Sequence, residues 1–483
     1  MDRFDVIVIG GGPAGVTAAL RARELGASVA LVERNQLGGT CTNDGCLPTR
    51  VLAKAARLMR DSKQFSAYGL TSIPPTVDFP RLLEHTQRLI YTVHEKKQIQ
   101  DHLEQAGVRT FTLAGDAQFV DPHTVVLANG APLAAEKIIL CVGGHARRMS
   151  MPGSEYVLTH SDVWRMRQLP KSVAIIGGAA TGCQLASIFA AFGVDVTLLE
   201  MAPRILAAED PVVSDAMLQA FRGHGIVVHM GIGGVQQVQR GDAGLQLAFV
   251  TDNTPATLDV ECVIGAVGWV CNTAKLNLDA AGVRVERGYI WVDDTLRTSV
   301  PHIYAAGDSN GRMMLVQSAG YEARIAAENA VLDGEQRYQT TVVPHGSFTD
   351  PEYASVGLTE AAALAAYECA VAVVPYADLD RAVIDGCTDG FCKLIVDMGT
   401  RRLLGAHVVG EDAVEIVHVV AAGMAANMGV EQLAELEIAY PTLTAVLGLA
   451  ARKIVRDLGL TEVAPHWRAL GQLHPAEWEQ RAG

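Results

Sequence analysis

The sequence predicts an α/β fold in which a strand–turn–helix–strand unit occurs twice and an α+β domain follows. Three observations support this prediction. A short apolar strand at residues 5–9 runs into a glycine-rich turn and an alanine-rich helix, and the same pattern begins again at residue 172. The last third of the chain lacks that pattern and alternates strands with helices. A chain of 483 residues is long enough for about three domains of ordinary size.

The composition excludes several classes of partner and location. The formal net charge is −14, and nucleic acids and anionic membranes both attract basic rather than acidic surfaces. No apolar run approaches the length of a membrane span, and a strand at residues 4–9 leaves no room for a signal peptide. We therefore expect a cytoplasmic protein with no nucleic acid or membrane partner.

The first unit has the sequence of a dinucleotide-binding turn. Its strand is followed by Gly10-Gly11-Gly12-Pro13-Ala14-Gly15, and a second strand at residues 28–32 ends at the acid Glu33. The glycines allow a tight turn and close approach of a pyrophosphate to a helix N-terminus, while the acid accepts from a ribose hydroxyl. Strand, turn, helix and acid together predict a Rossmann-like domain.

The second unit repeats this pattern between residues 172 and 200. The strand at 172–176 enters Gly177-Gly178-Ala179-Ala180-Thr181-Gly182, and the next strand, at 194–199, ends at Glu200. Two such units suggest two dinucleotides, one held permanently and one visiting. A 2′-phosphate would meet the negative charge of Glu200, so we expect NADH in preference to NADPH.

Two cysteines, Cys41 and Cys46, lie in a glycine-rich turn before a predicted helix that begins at Pro48 and continues through residues 51–59. A cysteine at a helix N-terminus is favoured as the thiolate, so the pair can cycle between dithiol and disulfide. A close pair among nine cysteines in a reducing compartment is typical of a catalytic or metal-binding site. The alternative is a structural pair or two unrelated buried cysteines. No second cluster completes a zinc site, and we predict no bound metal.

The remaining segments predict further elements. Buried strands are expected at residues 138–144 and 263–268, and a strand over residues 297–308 should end at Gly307-Asp308, where the acid binds a polyol hydroxyl or is a plain turn aspartate. In the last domain, residues 346–360 predict a strand, a turn and a new helix. Strands are expected at 391–397 and 405–409, and helices at 413–428 and 444–458.

Taken together, these motifs resemble one family, the FAD-dependent pyridine nucleotide–disulfide oxidoreductases, across nearly the whole chain. The resemblance rests on both glycine-rich turns, on Gly39-Thr40-Cys41 and Gly45-Cys46-Leu47-Pro48-Thr49, on Ala306-Gly307-Asp308, and on the segment 348–360. It implies an FAD domain (1–148), an NAD(P) domain (149–275), a central domain completing the FAD site (276–338), a dimerisation domain (339–466) and a tail (467–483). It also implies a homodimer with shared active sites.

The resemblance also assigns roles to individual residues. Cys46 is implied to be the sulfur next to the flavin and Cys41 the sulfur that attacks the substrate, while Glu33 holds the adenosine ribose of FAD and Asp308 its ribityl chain. Implied catalytic residues are Cys41, Cys46, Tyr440 and Arg50. Implied cofactor contacts are Gly10, Gly12, Pro13, Ala14, Gly15, Glu33, Arg34, Gly39, Thr40, Cys41, Cys46, Arg50, Gly115, Ala117, Gly143, Gly177, Gly182, Gln184, Glu200, Gly268, Gly307, Asp308, Leu315 and Val316.

The chain departs from the family pattern at the residues that move protons. The usual His-Pro-Thr-x-x-Glu is Tyr440-Pro441-Thr442-Leu443-Thr444-Ala445 here, and a phenol is a poor proton shuttle at neutral pH. The lysine–glutamate pair expected beside the flavin is replaced by Arg50 and Gln184. Tyr440 to Thr444 resembles the mercuric reductases of the family, yet the tail lacks their terminal cysteine pair.

These observations leave more than one function open. We predict an NADH-dependent flavoprotein that passes electrons through Cys41 and Cys46 to a thiol or disulfide substrate. The alternatives are a mercuric-reductase-like enzyme acting on a thiophilic metal, a repurposed flavoenzyme acting on a small organic molecule, and a non-catalytic partner subunit.

Overall fold

The computed structural model describes residues 1–71, 73–241, 244–339, 342–462 and 477–479. The amino-terminal part contains the first nucleotide-binding unit and the cysteine pair. Its elements are β1 (Asp2–Ile9), α1 (Pro13–Glu24), β2 (Val29–Val32), α2 (Gly39–Asn43), α3 (Cys46–Asp61), α4 (Phe79–Lys97), α5 (Ile99–Gln105), β3 (Arg109–Phe111), β4 (Gln118–Asp121), β5 (Thr124–Val126), β6 (Pro132–Leu140) and β7 (Gly144–Ala146).

The second unit follows directly. Its elements are β8 (Val157–Leu158), α6 (His160–Val163), β9 (Ser172–Ile176), α7 (Ala180–Ala191), β10 (Asp195–Leu199), α8 (Pro211–Gly223), β11 (Val227–His229), β12 (Gly234–Gly241), β13 (Gly244–Thr251), β14 (Thr254–Val260), β15 (Cys262–Gly265) and β16 (Trp269–Cys271). The parallel strands run in the order β11-β10-β9-β15-β8, and β12, β13 and β14 form a separate antiparallel sheet.

The chain then returns to the first sheet. This segment contains α9 (Leu278–Ala281), β17 (Val285–Glu286), β18 (Tyr289–Ile290), β19 (Ile303–Ala305) and α10 (Val316–Leu332). The first sheet has the order β3-β2-β1-β6-β5-β4, and β19 pairs in parallel with the far end of β6. Small residues let α10 pack closely on α1, since Ala18 and Ala22 on α1 and Ala323 and Ala326 on α10 are all fully buried.

The last part is an antiparallel sheet covered by helices. Its elements are β20 (His345–Ser347), β21 (Tyr353–Gly357), α11 (Glu360–Leu364), β22 (Cys369–Pro375), α12 (Asp380–Ile384), β23 (Phe391–Asp397), β24 (Leu403–Val409), α13 (Ala413–Ala425), α14 (Val430–Glu435) and α15 (Ala445–Asp457). The strand order is β20-β21-β24-β23-β22. Apolar residues of α13 and α15 complete the core of this α+β unit.

Two local predictions need correction. The strand expected over residues 297–308 is limited to Ile303–Ala305, and Gly307–Ser309 is a 3-10 turn, because Asp293 and Thr298 bond the preceding loop into tight turns. The helix expected to begin at Pro48 begins at Cys46, and Cys41 lies in a short helix of its own rather than in an open turn. Most of the predicted tail, residues 467–476 and 480–483, lies outside the described residues.

A buried polar network joins α8 of the second unit to the last sheet. Lys393 on β23 is 2% exposed and lies 2.9 Å from Asp210, the fully buried residue that caps α8. Glu360 approaches the same ammonium group at 2.5 Å. Beside this pair, His345 on β20 contacts Glu209 at 3.1 Å. Each of these contacts pairs a positive with a negative group, which offsets the cost of burying a charge. Within the described residues, no helix is both long and apolar enough to span a bilayer.

Candidate active site

The first glycine-rich turn is packed most tightly at Gly10 and Gly15. Gly10 has φ +108°, and a Cβ there would lie 2.2 Å from the carbonyl oxygen of Cys141. A Cβ at Gly15 would lie 1.7 Å from the carbonyl oxygen of Gly10, so neither position can carry a side chain. At Gly12, in contrast, the nearest atom to such a Cβ is 3.6 Å away. The turn leads into the N-terminus of α1, whose free backbone N–H groups could bind a pyrophosphate.

Glu33 closes the turn from the end of β2. Its carboxylate accepts from the N–H of Gly11 at 2.6 Å and from the N–H of Asn35 at 2.7 Å. A carboxylate has about four lone-pair sites, so acceptor capacity remains for ribose hydroxyls. A cavity beside it is lined by Gly10, Glu33, Arg34, Gly115 and Ala117, which the sequence predicted to contact a cofactor.

The same cavity has a wall that the sequence analysis did not assign. His145, Cys271, Asn272 and Lys275 line it, and Lys275 reaches Asp116 at 2.8 Å across the cavity. Asn272 donates to the carbonyl oxygen of Val142 and lies 2.7 Å from His145. These residues lie in the segments that connect the two units. They form one wall of the cavity because β7 and β16 pair.

The cysteine loop lies directly on the first glycine-rich turn. Gly38 and Gly39 have φ +102° and +59°, and a Cβ at Gly39 would lie 2.7 Å from the Cα of Gly12. Only a glycine pair permits this contact. Cys41 follows in α2, and Cys46 is the first residue of α3, next to the unbonded N–H groups of that helix.

The pKa values of the two cysteines of the loop are shifted in opposite directions. Cys41 donates a hydrogen bond to Cys46, which raises the pKa of Cys41, as does burial. The same hydrogen bond lowers the pKa of Cys46 to about 7, against the opposing effect of burial. Cys46 is nevertheless exposed. The loop is therefore arranged as a thiolate at Cys46 stabilised by a thiol at Cys41.

Asp308, on the returning segment, acts electrostatically on both sulfurs. Its negative charge opposes thiolate formation at both cysteines, and burial raises its own pKa. A Cβ at Gly307 would lie 3.4 Å from Ala14 of α1, so this turn also contacts the first unit. Leu315 and Val316 follow at the start of α10.

A buried acid behind this turn was missed by the sequence analysis. Glu322 on α10 is fully buried and accepts from the N–H of Gly307 and from Asn310, each at 2.7 Å. Burial raises the pKa of Glu322 to about 7. An acidic residue in an alanine-rich helix can be noticed in the sequence. Its partner, the N–H of Gly307, is known only from the structure.

The second glycine-rich turn has the same geometry as the first. Gly177 has φ +107°, a Cβ at Gly182 would lie 1.8 Å from the carbonyl oxygen of Gly177, and Glu200 accepts from the N–H groups of Gly178 and Ala202 at 2.5 and 2.6 Å. Ala179 has φ −82° and ψ −174°, close to the values of Gly12. Alanine is therefore unstrained there.

Arg50 and Gln184 are both held by β20 and the residue that follows it. The guanidinium of Arg50 lies 3.8 Å from the ring centroid of Phe348, a cation–π contact. Gln184 accepts from the hydroxyl of Ser347 at 3.0 Å. Gly143 and Gly268, at φ +61° and +108°, lie in the connections that lead from β6 and β15.

Tyr440 lies apart from the other predicted catalytic residues. Its hydroxyl donates to Asp380 at 2.7 Å, and its ring lies 4.9 Å from Trp478, in the described part of the tail. That hydrogen bond raises the pKa of Tyr440. Glu477 ties the same tail segment to Arg452 and Arg456 of α15. Among the described contacts of this single chain, none joins Tyr440 to Cys41 or Cys46.

Comparison with known proteins agrees with this geometry. Residues 4–323 match the pyridine nucleotide-disulphide oxidoreductase family, and residues 343–451 match the dimerisation domain of the same enzymes. The chain is 34% identical over 467 residues to a dihydrolipoyl dehydrogenase of Chlorobaculum tepidum, covering 95% of this chain and 98% of that protein. It is 31% identical over 463 residues to a mercuric reductase of Lysinibacillus sphaericus, covering 95% and 84%.

Comparison with solved structures also finds a member of this group of enzymes. The HOCl-induced flavoprotein disulfide reductase RclA from Escherichia coli matches with a TM-score of 0.82 and 26% identity over 93% of this chain and 99% of that one. The fold class and the family predicted from the sequence are confirmed. This chain belongs to the pyridine nucleotide-disulphide oxidoreductases, enzymes that use FAD and NAD(P)H.

Proposed function

We propose that this chain takes electrons from NADH and delivers them, through FAD and the Cys41–Cys46 pair, to a thiol or disulfide substrate. The observation that supports this most is the state of the pair: Cys46 is an accessible residue at a helix N-terminus whose pKa falls to about 7, and Cys41 is its hydrogen-bond donor. A thiolate in this position can retain or release an electron pair by forming or breaking one S–S bond.

The residues around the first glycine-rich turn fit FAD. The turn leads into the N-terminus of α1, where free backbone N–H groups can bind the pyrophosphate, and Gly10 and Gly15 keep the turn tight. We assign Glu33 and Arg34 to the adenosine ribose, Gly115 and Ala117 to the adenine end, and Asp308 to the ribityl chain. The remaining predicted contacts at Pro13, Ala14, Thr40, Gly143, Gly268, Gly307, Leu315 and Val316 stay part of this proposal. When bound, FAD supplies two-electron transfer between reduced nicotinamide and a disulfide.

The second glycine-rich turn is proposed as the NADH site. The carboxylate of Glu200 accepts from two backbone N–H groups, and its remaining lone pairs can accept from the ribose hydroxyls. Its charge repels a 2′-phosphate, which favours NADH over NADPH. Gly177 and Gly182 allow the pyrophosphate to approach the start of α7.

The cysteines then exchange electrons with the substrate. Cys41 attacks a substrate disulfide and forms a mixed disulfide, releasing the first thiol. The thiolate of Cys46 attacks Cys41, closes the Cys41–Cys46 bond and releases the second thiol. Arg50, held against Phe348, supplies a fixed positive charge to the region of this pair.

We further propose a homodimer in which each active site uses groups from both copies. The match of residues 343–451 to a dimerisation domain supports a dimer. The position of Tyr440, exposed on the last unit and away from the cysteines of its own chain, fits a role at the other copy's site. The domain limits 1–148, 149–275, 276–338 and 339–466 are part of this proposal. The return of β19 to the first sheet supports a segment 276–338 that completes the first domain. Nine free cysteines fit the cytoplasm.

A second candidate is reduction of a thiophilic metal ion as substrate. The 31% identity to a mercuric reductase and the sequence Tyr440 to Thr444 favour it. Cys41 and Cys46 would then hold the soft cation as thiolates. The last 21 residues contain no cysteine to deliver it.

Anaerobic titration of the FAD-loaded protein with NADH tests the main proposal. We expect flavin reduction followed by a long-wavelength absorption band from a thiolate beside the flavin. Cys46→Ser should abolish the band and disulfide reduction, and Cys41→Ser should abolish disulfide reduction alone. Cys387→Ser is the matched control and should behave as wild type. Undiminished disulfide reduction by Cys46→Ser contradicts the proposal, and NADH oxidation dependent on Hg²⁺ but not on disulfide favours the second candidate.

A further inference from the structure

Asp44 and Gly45 form the link between the two helices that carry the cysteines. Cys41 lies in α2, and Cys46 is the first residue of α3. Backbone hydrogen bonds tie each link residue to one of the helices. The N–H of Asp44 donates to a carbonyl oxygen of α2 at 2.9 Å, and the carbonyl oxygen of Gly45 accepts from an N–H group of α3 at 3.0 Å. The peptide group between Asp44 and Gly45 is therefore the joint between the two helices.

The second unit binds this joint through α6 and the residue that ends it. The indole Nε1 of Trp164 donates to the carbonyl oxygen of Asp44 at 2.8 Å, and the hydroxyl of Ser161 donates to the carboxylate of Asp44 at 2.5 Å. The carbonyl oxygen belongs to the joint itself, so the bond from Trp164 fixes the plane of that peptide group. Trp164 is 7% exposed, and the packing around its ring fixes the position of the donor.

The helix that supplies these donors is held in place by the second sheet. It follows β8, which pairs with β15, and the carboxylate of Asp162 accepts from the N–H and the hydroxyl of Thr159 at 2.8 and 2.9 Å. His160 lies 3.6 Å from the carboxylate of Asp44, but burial lowers the pKa of this imidazole, which is therefore neutral at pH 7. The hydroxyl of Ser161 is thus the donor that holds the carboxylate.

Closing a disulfide changes the relation between the two helices. Both cysteines are free in the structure, and Cys41 donates a hydrogen bond to Cys46. An S–S bond is much shorter than a hydrogen bond between two sulfurs. Its formation therefore brings α2 and α3 closer together and turns the peptide group that joins them. The contacts from Trp164 and Ser161 hold that group in the position it has when the cysteines are free.

We propose that Ser161 and Trp164 are positioning residues that stabilise the dithiol form of the Cys41–Cys46 pair relative to its disulfide. This inference rests on the redox role proposed above. In the oxidation of the pair, the thiol of Cys41 and the thiolate of Cys46 form one S–S bond, and the S–S bond of the substrate breaks. Two electrons pass to the substrate, whose sulfurs leave as one thiol, carrying the proton of Cys41, and one thiolate. Stabilising the dithiol form makes the pair a better acceptor of electrons.

Equilibration with glutathione measures the balance between the two forms. The FAD-loaded protein is incubated anaerobically at pH 7 with mixtures of glutathione and glutathione disulfide, quenched in acid and alkylated, and the fraction with a Cys41–Cys46 bond is read by mass spectrometry. Trp164→Phe keeps an aromatic ring but removes the donor, and Ser161→Ala removes the hydroxyl. We expect the equilibrium constant for disulfide formation to rise about fivefold in Trp164→Phe and about tenfold in Ser161→Ala, because hydrogen bonds to charged groups are the stronger ones. For this two-electron couple, a factor of ten corresponds to about 30 mV.

Control variants and a spectroscopic measurement separate positioning from a general loss of stability. Ser161→Thr keeps the hydroxyl and should stay close to wild type. Trp291→Phe and Ser299→Ala change residues of the same types between α9 and β19, where Ser299 also donates to a carbonyl oxygen, and both should match wild type. In the NADH titration, Trp164→Phe and Ser161→Ala should give a weaker long-wavelength band at one NADH per flavin, because fewer electrons reach the cysteines.

The inference requires a shift toward the disulfide in both Trp164→Phe and Ser161→Ala. An unchanged equilibrium constant in either variant, or a shift toward the dithiol, overturns it. A wild-type protein whose cysteines form no disulfide in any glutathione mixture overturns the proposed function, and the inference falls with it. The wild-type measurement therefore distinguishes the failure of the proposed function from the failure of the inference alone.

Discussion

Removing the charge of Asp210 should destabilise the contact between the second nucleotide-binding unit and the last sheet. Asp210→Asn keeps the size of the side chain but leaves the buried ammonium of Lys393 without its closest fully buried partner. Breaking a buried ion pair from one side costs about 3–5 kcal/mol. Lys393 keeps Glu360, whose side chain is 40% exposed and remains solvated, so we expect the lower end, about 3 kcal/mol.

Urea unfolding of the FAD-loaded protein, followed by circular dichroism at pH 7, measures this loss. The double variant Asp210→Asn with Lys393→Met removes the stranded charge and should recover half of the loss or more. Glu136→Gln, which breaks the surface contact with Arg3, should leave the curve unchanged. A single Asp210→Asn variant as stable as wild type, or a double variant that recovers nothing, refutes the reasoning.

The pH dependence of this pair has a definite sign. Burial alone would raise the pKa of Asp210, but hydrogen bonds from the N–H of Glu360 and from Lys393 hold it below its ordinary value. The stabilisation is therefore complete above the unfolded pKa of about 3.9 and is lost as the pH falls through the lower folded value. The difference in stability between wild type and Asp210→Asn should shrink in acid.

Three further perturbations test other contacts. Hydrogen bonding to Glu209 raises the pKa of His345. The contribution of this contact to the free energy of unfolding is therefore complete below about pH 6.5 and is lost as the pH rises through the folded pKa. In urea titrations between pH 6 and 9, His345→Gln should lose less stability than wild type. Glu200→Gln should raise the ratio of kcat/KM for NADPH to that for NADH about tenfold, since a factor of ten corresponds to about 1.4 kcal/mol of removed repulsion; an unchanged ratio would mean that Glu200 does not select the cofactor. The positive charge of Lys97 favours the thiolate of Cys41. Lys97→Met should therefore slow disulfide reduction several-fold at low salt and less at high salt, while Lys96→Met should not. A loss that does not depend on salt would mean that Lys97 acts only through its contact with Thr42.

Local sequence patterns were sufficient for the elements that depend on neighbours in the chain. The strand at residues 172–176 and the strand at 391–397 have the predicted limits. Both glycine-rich turns could be predicted because the first and last glycine of each are required by close contacts within the same unit. The start of α3 was misplaced by two residues, since Pro48 is tolerated anywhere in the first turn and does not mark its beginning.

The contacts that span distant segments could not be predicted in this way. Glu322 holds the turn at Gly307, and His94 lies on Asn43 from 51 residues away. A single sequence gives the identity of these polar side chains but not the partner each one meets. The cavity wall at His145 and Asn272 was missed for the same reason, because it exists only where β7 and β16 pair.

The contact between Gly12 and Gly39 sets the spacing between the two halves of the redox chemistry. At this point the turn that starts α1 and the loop that carries the cysteines are separated by hydrogen atoms alone, with a prospective Cβ of Gly39 at 2.7 Å from the opposite Cα. A single methyl group at Gly39 would force one of the two segments to move. Under the proposed assignment of FAD to the turn of α1, this contact fixes the distance between the flavin site and the cysteine pair, so a shift of either segment would move the other.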